Sequence, residues 1–365
     1  MKPTARDYSL IGRNAELAVA SGLAAAEWYQ TDIPRSTIKA LMKRSDGPAV
    51  RDTLIWFALL AGFGAGAWYF WPSAWSIPFF LAYGVFYASA ADSRWHECGH
   101  GTAFKTRWMN DVVYHMASFM ILREPTIWRW SHTRHHTDTI IVGRDREIFG
   151  RRPIDFAKLI LSIVPVWNVC KAVYNIASHA TGRLTAEEKT FIPEMEWSKV
   201  YRDARIWLLI YAGIIALAVV LQSWMPVLLF GPVPKIYGHW LAYYLGVLQH
   251  AGLAEDVLDH RLNSRTVYMN PVLRFAYWNM NYHIEHHMFP MVPYHKLPEL
   301  HEIMKADTPP PDKSTFHAYR DILPVLWRQS KDPDYFLIRE LPPTAKPYRS
   351  DLHGGPVTVN VAQAS

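Results

Sequence analysis

Charge is scarce in this chain of 365 residues. Asp, Glu, Lys and Arg make up 19% of it, against about a quarter in an ordinary soluble protein, so water alone does not solvate the whole molecule. Cysteine is scarcer still. The two present, Cys98 and Cys170, exclude a disulfide framework and suit a reducing cytosol. There is no GxGxxG fingerprint, no CxxC spacing and no recognisable haem-binding segment, which excludes a built-in nucleotide, iron–sulfur or haem route for electrons. The net charge of +6 comes from basic residues spread along the chain, not gathered in a block, which argues against a nucleic-acid binder. No short apolar run follows Met1, so a cleaved signal peptide is not expected and the first hydrophobic span should itself direct insertion.

Long apolar runs take the place of charge. Leu54 to Trp71 and Ala74 to Ala91 are uncharged stretches of 18 residues on either side of Pro72 and Ser73, and each can cross a ~30 Å hydrocarbon layer as a helix. They predict a membrane hairpin over 54–71 and 74–91. A second is predicted over 206–223 and 226–248, its last span punctuated by Pro232, Pro234, Lys235 and His239. Basic residues set the orientation. The turns "WPSAWS" and "LQSWMP" carry no charge, whereas Arg35, Lys39, Lys43, Arg44, Arg51 and the segments after each hairpin are basic, so both termini are expected in the cytosol.

The fold class expected is an all-α integral membrane protein: four transmembrane helices as two hairpins, with a cytosolic helical cap carrying the histidine clusters. Residues 1–51 form an N-terminal cytosolic or interfacial arm with a helix around Ala15 to Tyr29, 52–330 the membrane domain, and 331–365 the C-terminal tail, expected to be loose from Leu341 onward. Surface-lying helices are predicted at Val112 to Leu122 and Phe156 to Ala177, and a closing helix over "STFHAYRDILPVLWRQS", kinked at Pro324.

Histidine is abundant. Seventeen occur, and eight fall in three clusters: "HECGH" (His96, His100), "HTRHH" (His132, His135, His136) and "HIEHH" (His283, His286, His287). On a helix, positions i, i+3 and i+4 share a face, so each cluster offers two or three imidazoles to one side. "HECGH" also matches HExxH, the zinc site in which Glu97 would be the general base. That reading uses two histidines, leaves six unexplained, and lacks an acidic third ligand in the later spans. One zinc takes three or four protein ligands; eight histidines point to two metals, and imidazole ligation with open positions suits iron, though zinc and copper also accept imidazole. Five carboxylates near the clusters, Asp92, Glu97, Asp138, Asp256 and Glu285, could fix ligand rings by accepting their second N–H, or be surface charge. Arg144, Arg146, Arg151 and Arg152 could dock an acidic electron carrier or an anionic headgroup, or simply reflect positive-inside topology.

The flanks "RWHECGHGTAF", "WRWSHTRHHTDT" and "NYHIEHHMFPMVPYHKLPEL", in that order around two hairpins, resemble the membrane fatty-acid desaturase and hydroxylase superfamily from about residue 54 to 330. The resemblance implies a di-iron centre held by the eight clustered histidines, with O2 as co-substrate. It further implies electrons from a ferredoxin, Rieske protein or cytochrome with its NAD(P)H reductase, a lipid or other hydrophobic substrate, and a bacterial inner-membrane location. "LQHAGL" resembles the element that supplies a ninth ligand in relatives, here His250. Many relatives have Asp where Glu97 stands, which leaves the subfamily open. "HTDTIIVGRDREI" and "LQHAGLAEDVLDHRLNSRTV" are similar to bacterial hydrocarbon oxygenases that work with Rieske ferredoxins. Fatty acyl desaturation is therefore expected, with hydroxylation or oxidative demethylation as the alternative and a zinc metalloprotease as a remote one.

Overall fold

The computed structural model describes residues 6–349. Among them the regular structure is helical, with two isolated β-bridges, Thr266 to Tyr282 and Val267 to Asp312, and no strand. Helix α1 (Asp46–Phe70) turns at Trp71 and Pro72 and packs along α2 (Ser76–Gly84). A π-helical stretch, Val85–Ala90, joins α2 to α3 (Ala91–His100), so the predicted second span and the first histidine cluster form one rod. The widened turn frees backbone groups that must be paired. Trp56 Nε1 pairs one by donating to the Phe86 carbonyl at 2.8 Å, and the Ser89 side chain ties the stretch to the rest of the fold by donating to the Gly238 carbonyl at 2.6 Å.

Helix α4 (Arg107–Met120) packs on α3, and α5 (Pro125–Thr137) carries the second cluster, with proline at its first turn where no N–H is needed. The stretch predicted as one helix over 156–177 is two, Phe156–Leu161 and α6 (Val166–Ala180), parted at Pro165. Asp155 caps the first of them by accepting from the Lys158 N–H.

Helix α7 (Trp197–Val220) lies against α6 and covers most of the third predicted span. The fourth is not one helix. Met225–Leu229 ends near Gly231 (φ 74), Val233–Gly238 follows, and α8 (Trp240–His250) completes the run. Pro232 and Pro234 cannot extend a hydrogen-bonded ladder, and neighbouring tyrosines satisfy the groups left over. Tyr83 OH donates to the Leu229 carbonyl at 2.6 Å, the Gly231 N–H to Tyr87 OH at 3.0 Å, and Tyr237 OH to the Leu228 carbonyl at 2.7 Å. Here α2 and the broken segment touch backbone to backbone: a Cβ on Gly238 would sit 2.0 Å from the Gly84 carbonyl oxygen. Among the described residues, two helical stretches, Arg35–Phe70 and Glu194–Val220, are long and apolar enough to cross a membrane. They expose Leu54, Trp68, Leu209, Val219 and Val220.

The third cluster sits on the short α9 (His283–Met288), and α10 (Thr315–Gln329) closes the chain's helical part, running through Pro324 without interruption. The arm is helical over Arg13–Ala20 and Arg35–Leu41; the first of these does not reach Tyr29, because the chain turns at Gly22 (φ 77) and continues without regular structure to Pro34. The tail expected to be loose is docked as far as Arg349. Phe336, Ile338 and Tyr348 pack on Ala254, Val257 and Leu262, and Arg261 donates to the Lys346 and Pro347 carbonyls at 2.9 and 3.0 Å. Residues 350–365 of that tail lie outside the described residues.

Candidate metal centre

Each cluster is placed by a helix end. His96 and His100 occupy the last turns of α3, which Gly101 terminates in the left-handed conformation (φ 68), a position where glycine carries no Cβ penalty. His132, His135 and His136 end α5; His283, His286 and His287 fill α9; and His250 is the last residue of α8. These nine rings converge as two adjoining groups. His96, His100, His132, His136 and His286 make one, and His135, His250, His283 and His287 the other, each with its ring nitrogens within 4.8 Å of one another. The groups meet where the His136 and His287 rings stack at 4.5 Å.

The contacts inside each group are nitrogen to nitrogen. In the first, His96 Nε2 lies 2.7 Å from His286 Nε2 and 3.3 Å from His132 Nε2, which is 3.2 Å from both His100 and His136. In the second, His283 Nε2 lies 3.0 Å from His250 and 3.1 Å from His287. A neutral imidazole has one N–H, and several of these rings spend it outward. His132 Nδ1 donates to Glu147 at 3.1 Å, His135 Nδ1 to Asp145 at 2.7 Å, and His250 Nδ1 to the Asn263 carbonyl at 2.7 Å. His287 Nδ1 reaches the Thr139 hydroxyl at 3.3 Å. Their Nε2 lone pairs therefore converge, an arrangement suited to holding a cation between them. Nitrogens bonded at about 2.1 Å to a shared metal stand roughly 3 Å apart when at right angles, which matches the spacing seen. Burial and neighbouring histidines hold His96, His100, His136, His283, His286 and His287 well below the ordinary value, and burial takes His250 to about 3. Burial opposes charge on His135 as well, but Asp145 outweighs it and the net direction is up. The donor set fits a metal-binding centre.

The carboxylates singled out in the sequence stand elsewhere. Asp92 pairs with Arg123 at 2.7 Å; Asp138 accepts from the Ala25 N–H at 3.0 Å and Arg144 at 2.9 Å; Asp256 accepts from the Val142 N–H at 2.8 Å. Glu285 accepts from Thr266 Oγ1 at 2.6 Å and His301 Nδ1 at 2.5 Å. Glu97 accepts from Thr102 Oγ1 at 2.7 Å and the Tyr294 N–H at 3.0 Å, fully buried, its carboxyl pushed up to about 7 by that burial. Its Oε1 is taken up by these two donors and it does not line the space that opens on the histidines, so it is not poised as the base of an HExxH zinc site. These residues brace loops. The carboxylates that do hold ligand rings, Asp145 and Glu147, lie in "GRDREI", the stretch whose arginines drew attention instead.

Those arginines do not make one docking surface. Arg144 is tied to Asp138, Arg146 lies 3.7 Å from Glu188 and against Trp128, and Arg152 is buried beside Glu255 at 3.5 Å. Arg151 alone is exposed, near the Tyr8 ring.

A profile of the fatty acid desaturase family matches residues 70–320. The chain belongs to that family. An sn-2 acyl-lipid omega-3 desaturase (ferredoxin) of Arabidopsis thaliana chloroplasts is 25% identical over 280 residues, 70% of this chain and 60% of that protein. An acyl-lipid omega-3 desaturase (cytochrome b5) of the endoplasmic reticulum, also from Arabidopsis thaliana, is 23% identical over 276 residues, 70% of this chain and 69% of its own length. A fatty acid conjugase of Calendula officinalis is 23% identical over 297 residues, 72% and 74% of the two chains. Membership puts the chain among oxidoreductases.

Three cavities bear on how a member of this family reaches its substrate. A chamber of about 410 Å³ opens on both histidine groups, touching His96 and His132 of one and His135, His250 and His283 of the other. A cavity of about 290 Å³ between Phe156, Leu159, Leu323 and Tyr319 shares Phe149 and Tyr243 with the chamber. A larger one of about 560 Å³, lined by Phe57, Trp68, Met116 and Phe230 among others, has no charged wall and shares none of the chamber's lining residues.

Proposed function

We propose that this chain is a membrane-embedded, two-iron oxidoreductase that uses O2 and two electrons on an unactivated C–H bond, most simply to desaturate a fatty acyl substrate. The observation that carries this reading is the convergence of nine imidazoles, in groups of five and four, within a chain of the fatty acid desaturase family. The ligands would be His96, His100, His132, His136 and His286 for one ion and His135, His250, His283 and His287 for the other. Iron bound there would supply the reduction of O2 that breaking such a C–H bond requires.

The chain's own groups prepare the site. Asp145, Glu147 and the Asn263 carbonyl keep protons on Nδ1 of His135, His132 and His250, leaving Nε2 free to bind. Trp95 and Trp128 wall the chamber and limit water. Electrons come from a separate carrier, a ferredoxin, Rieske protein or cytochrome with its reductase; relatives named for ferredoxin and for cytochrome b5 support an external donor. The apolar stretches Arg35–Phe70 and Glu194–Val220, with the hairpin partner of the first and the broken run 225–250, support a four-pass layout with the histidines on the cytosolic side.

The test is iron content near two per purified chain, together with new double bonds in the lipids of an expressing host. One zinc per chain, or peptidase activity, sinks the reading. Hydroxylation or oxidative demethylation is kept as a second reading because the chamber walls are polar; unchanged lipids with formaldehyde release from methoxy or methylamino compounds would select it.

A further inference from the structure

The chamber beside the histidines is poorly suited to the middle of a hydrocarbon chain. Asp92, Arg123, Arg146, Glu147, His239 and Gln249 stand in its walls. Filling it with methylenes would strip water from these groups and return no hydrogen bond. Some are satisfied within the protein: Arg123 by Asp92 at 2.7 Å and Glu147 by His132 at 3.1 Å. Others are not. Arg146 reaches Glu188 only at 3.7 Å, and its Nη1, like His239 Nδ1, is buried without a hydrogen-bond partner. The wall thus offers one guanidinium nitrogen, Arg146 Nη1, with no acceptor of its own, while Nη2 faces Glu188.

The neighbouring 290 Å³ cavity has the opposite character. No charged residue lines it, and its outer rim, Ile160, Ile163, Trp240 and Leu323, is exposed. Phe149 and Tyr243, their rings 5.4 Å apart, belong to both spaces. The two spaces adjoin across these rings, a polar inner one at the histidines and an apolar outer one.

We infer that the substrate binds head first. A polar, hydrogen-bond-accepting end group such as a carboxylate lodges near Arg123 and Arg146, and the apolar chain runs outward past Phe149 and Tyr243 into the groove. The carbon that reacts is then among the first few from the polar end, and a bare alkane is a poor ligand. This assignment of substrate class rests on the oxidoreductase reading above for its consequence, but the orientation is measurable without turnover.

Full-length protein in detergent micelles is photolabelled with dodecanoate carrying a diazirine at carbon 3 or at carbon 11, and the adducts are mapped by mass spectrometry. The carbon-3 probe is expected to mark Trp128, Glu147 or Tyr243, and the carbon-11 probe Leu159, Tyr319 or Leu323. Unlabelled dodecanoate should suppress labelling at least tenfold more effectively than n-dodecane, and Arg146→Gln should reduce the carbon-3 adducts. The inverted pattern, equal competition by n-dodecane, or no adduct in either cavity would overturn the proposal, and the wild-type mapping decides it even if Arg146→Gln fails to fold. Iron content measured on the same sample separates the two ideas: head-first labelling on a protein that takes up no iron would sink the oxidoreductase reading and leave the orientation standing.

Discussion

The two histidine groups differ in how they are held. Three of the four rings in the second group have an Nδ1 partner, Asp145, the Asn263 carbonyl or Thr139. In the five-ring group only His132 has a carboxylate, Glu147, and His136 and His286 have buried Nδ1 atoms with no partner. His100 and His136 are also less buried than the rest of their group. A ring whose second nitrogen is anchored has its tautomer and direction fixed before metal arrives. The four-ring group is therefore the more preorganised, while the rings of the five-ring group would have to be oriented by a bound metal itself.

The largest effect should come from deleting one ligand in each group. His286→Ala and His287→Ala are each expected to lower bound iron from about two to about one per chain and turnover by at least ~100-fold, with the remaining ion in the untouched group. If either variant loses both ions, the groups are a single cooperative unit and the contrast fails. Metal analysis of the purified variants checks this.

A smaller effect should separate the two anchoring carboxylates. Asp145 accepts from His135 and also from the N–H groups of Ile140 at 2.8 Å and Glu147 at 2.7 Å, so it fixes a ring and a loop together. Glu147 accepts from His132 and from Ser131 Oγ at 2.9 Å. Removal of such partners costs roughly 10- to 100-fold in metal affinity. Asp145→Asn is expected near the upper end and Glu147→Gln near the lower, read as iron retained against a chelator. Equal losses would mean that loop anchoring adds nothing.

What the sequence disclosed and what it hid follow from geometry. Eight of the nine histidines were legible because helical spacing lays i, i+3 and i+4 on one face, whatever the rest of the chain does, whereas His250, alone in its segment, was legible only through the resemblance of "LQHAGL" to relatives. Asp145 and Glu147 were not, because they lie in a non-helical loop where spacing carries no directional signal, and an arginine-rich stretch reads first as charge. All-helical character and the first hairpin followed from apolar run length. Pro232 and Pro234 marked the fourth run as punctuated, but whether it breaks at Gly231 depended on Tyr83 and Tyr87 standing ready to satisfy the interrupted backbone, which no local pattern states. The continuous helix through Pro324 and the docking of residues up to Arg349 likewise rest on contacts made far along the chain.

A further test acts on the helix both groups share. At the start of α5, Glu124 accepts from His179 Nδ1 at 2.7 Å, and His179 Nε2 lies 3.3 Å from Glu188. Burial opposes charge on His179, but the two carboxylates raise it to about 9. The stabilisation, on the order of 3 kcal/mol, is fully present below the unfolded-state value near 6.5 and is lost as pH rises through about 9. The melting temperature should fall across that window, and His179→Gln should flatten the fall. Because α5 supplies rings to both groups, iron loss should rise equally in the two; an unequal rise would show that the preorganised group resists even when its helix loosens.

The smallest expected effect probes the arm. Trp28 stacks on His260 with ring centroids 4.2 Å apart and planes 4° apart, and its Nε1 donates to the Thr137 carbonyl at 2.9 Å. His260 in turn lies 5.1 Å from the His287 ring, so the stack bears most directly on the four-ring group. Trp28→Phe keeps an aromatic face but removes one hydrogen bond, a loss of about 1 kcal/mol, whereas Trp28→Ala removes the stack as well, adding roughly another 1 kcal/mol. Chelator-driven iron loss from the four-ring group should quicken a few-fold in Trp28→Ala and little in Trp28→Phe, with the five-ring group unchanged in both. Equal quickening in both groups would mean that the arm stabilises the fold generally, and the tighter hold on the four-ring group would then come from Asp145, Asn263 and Thr139 alone.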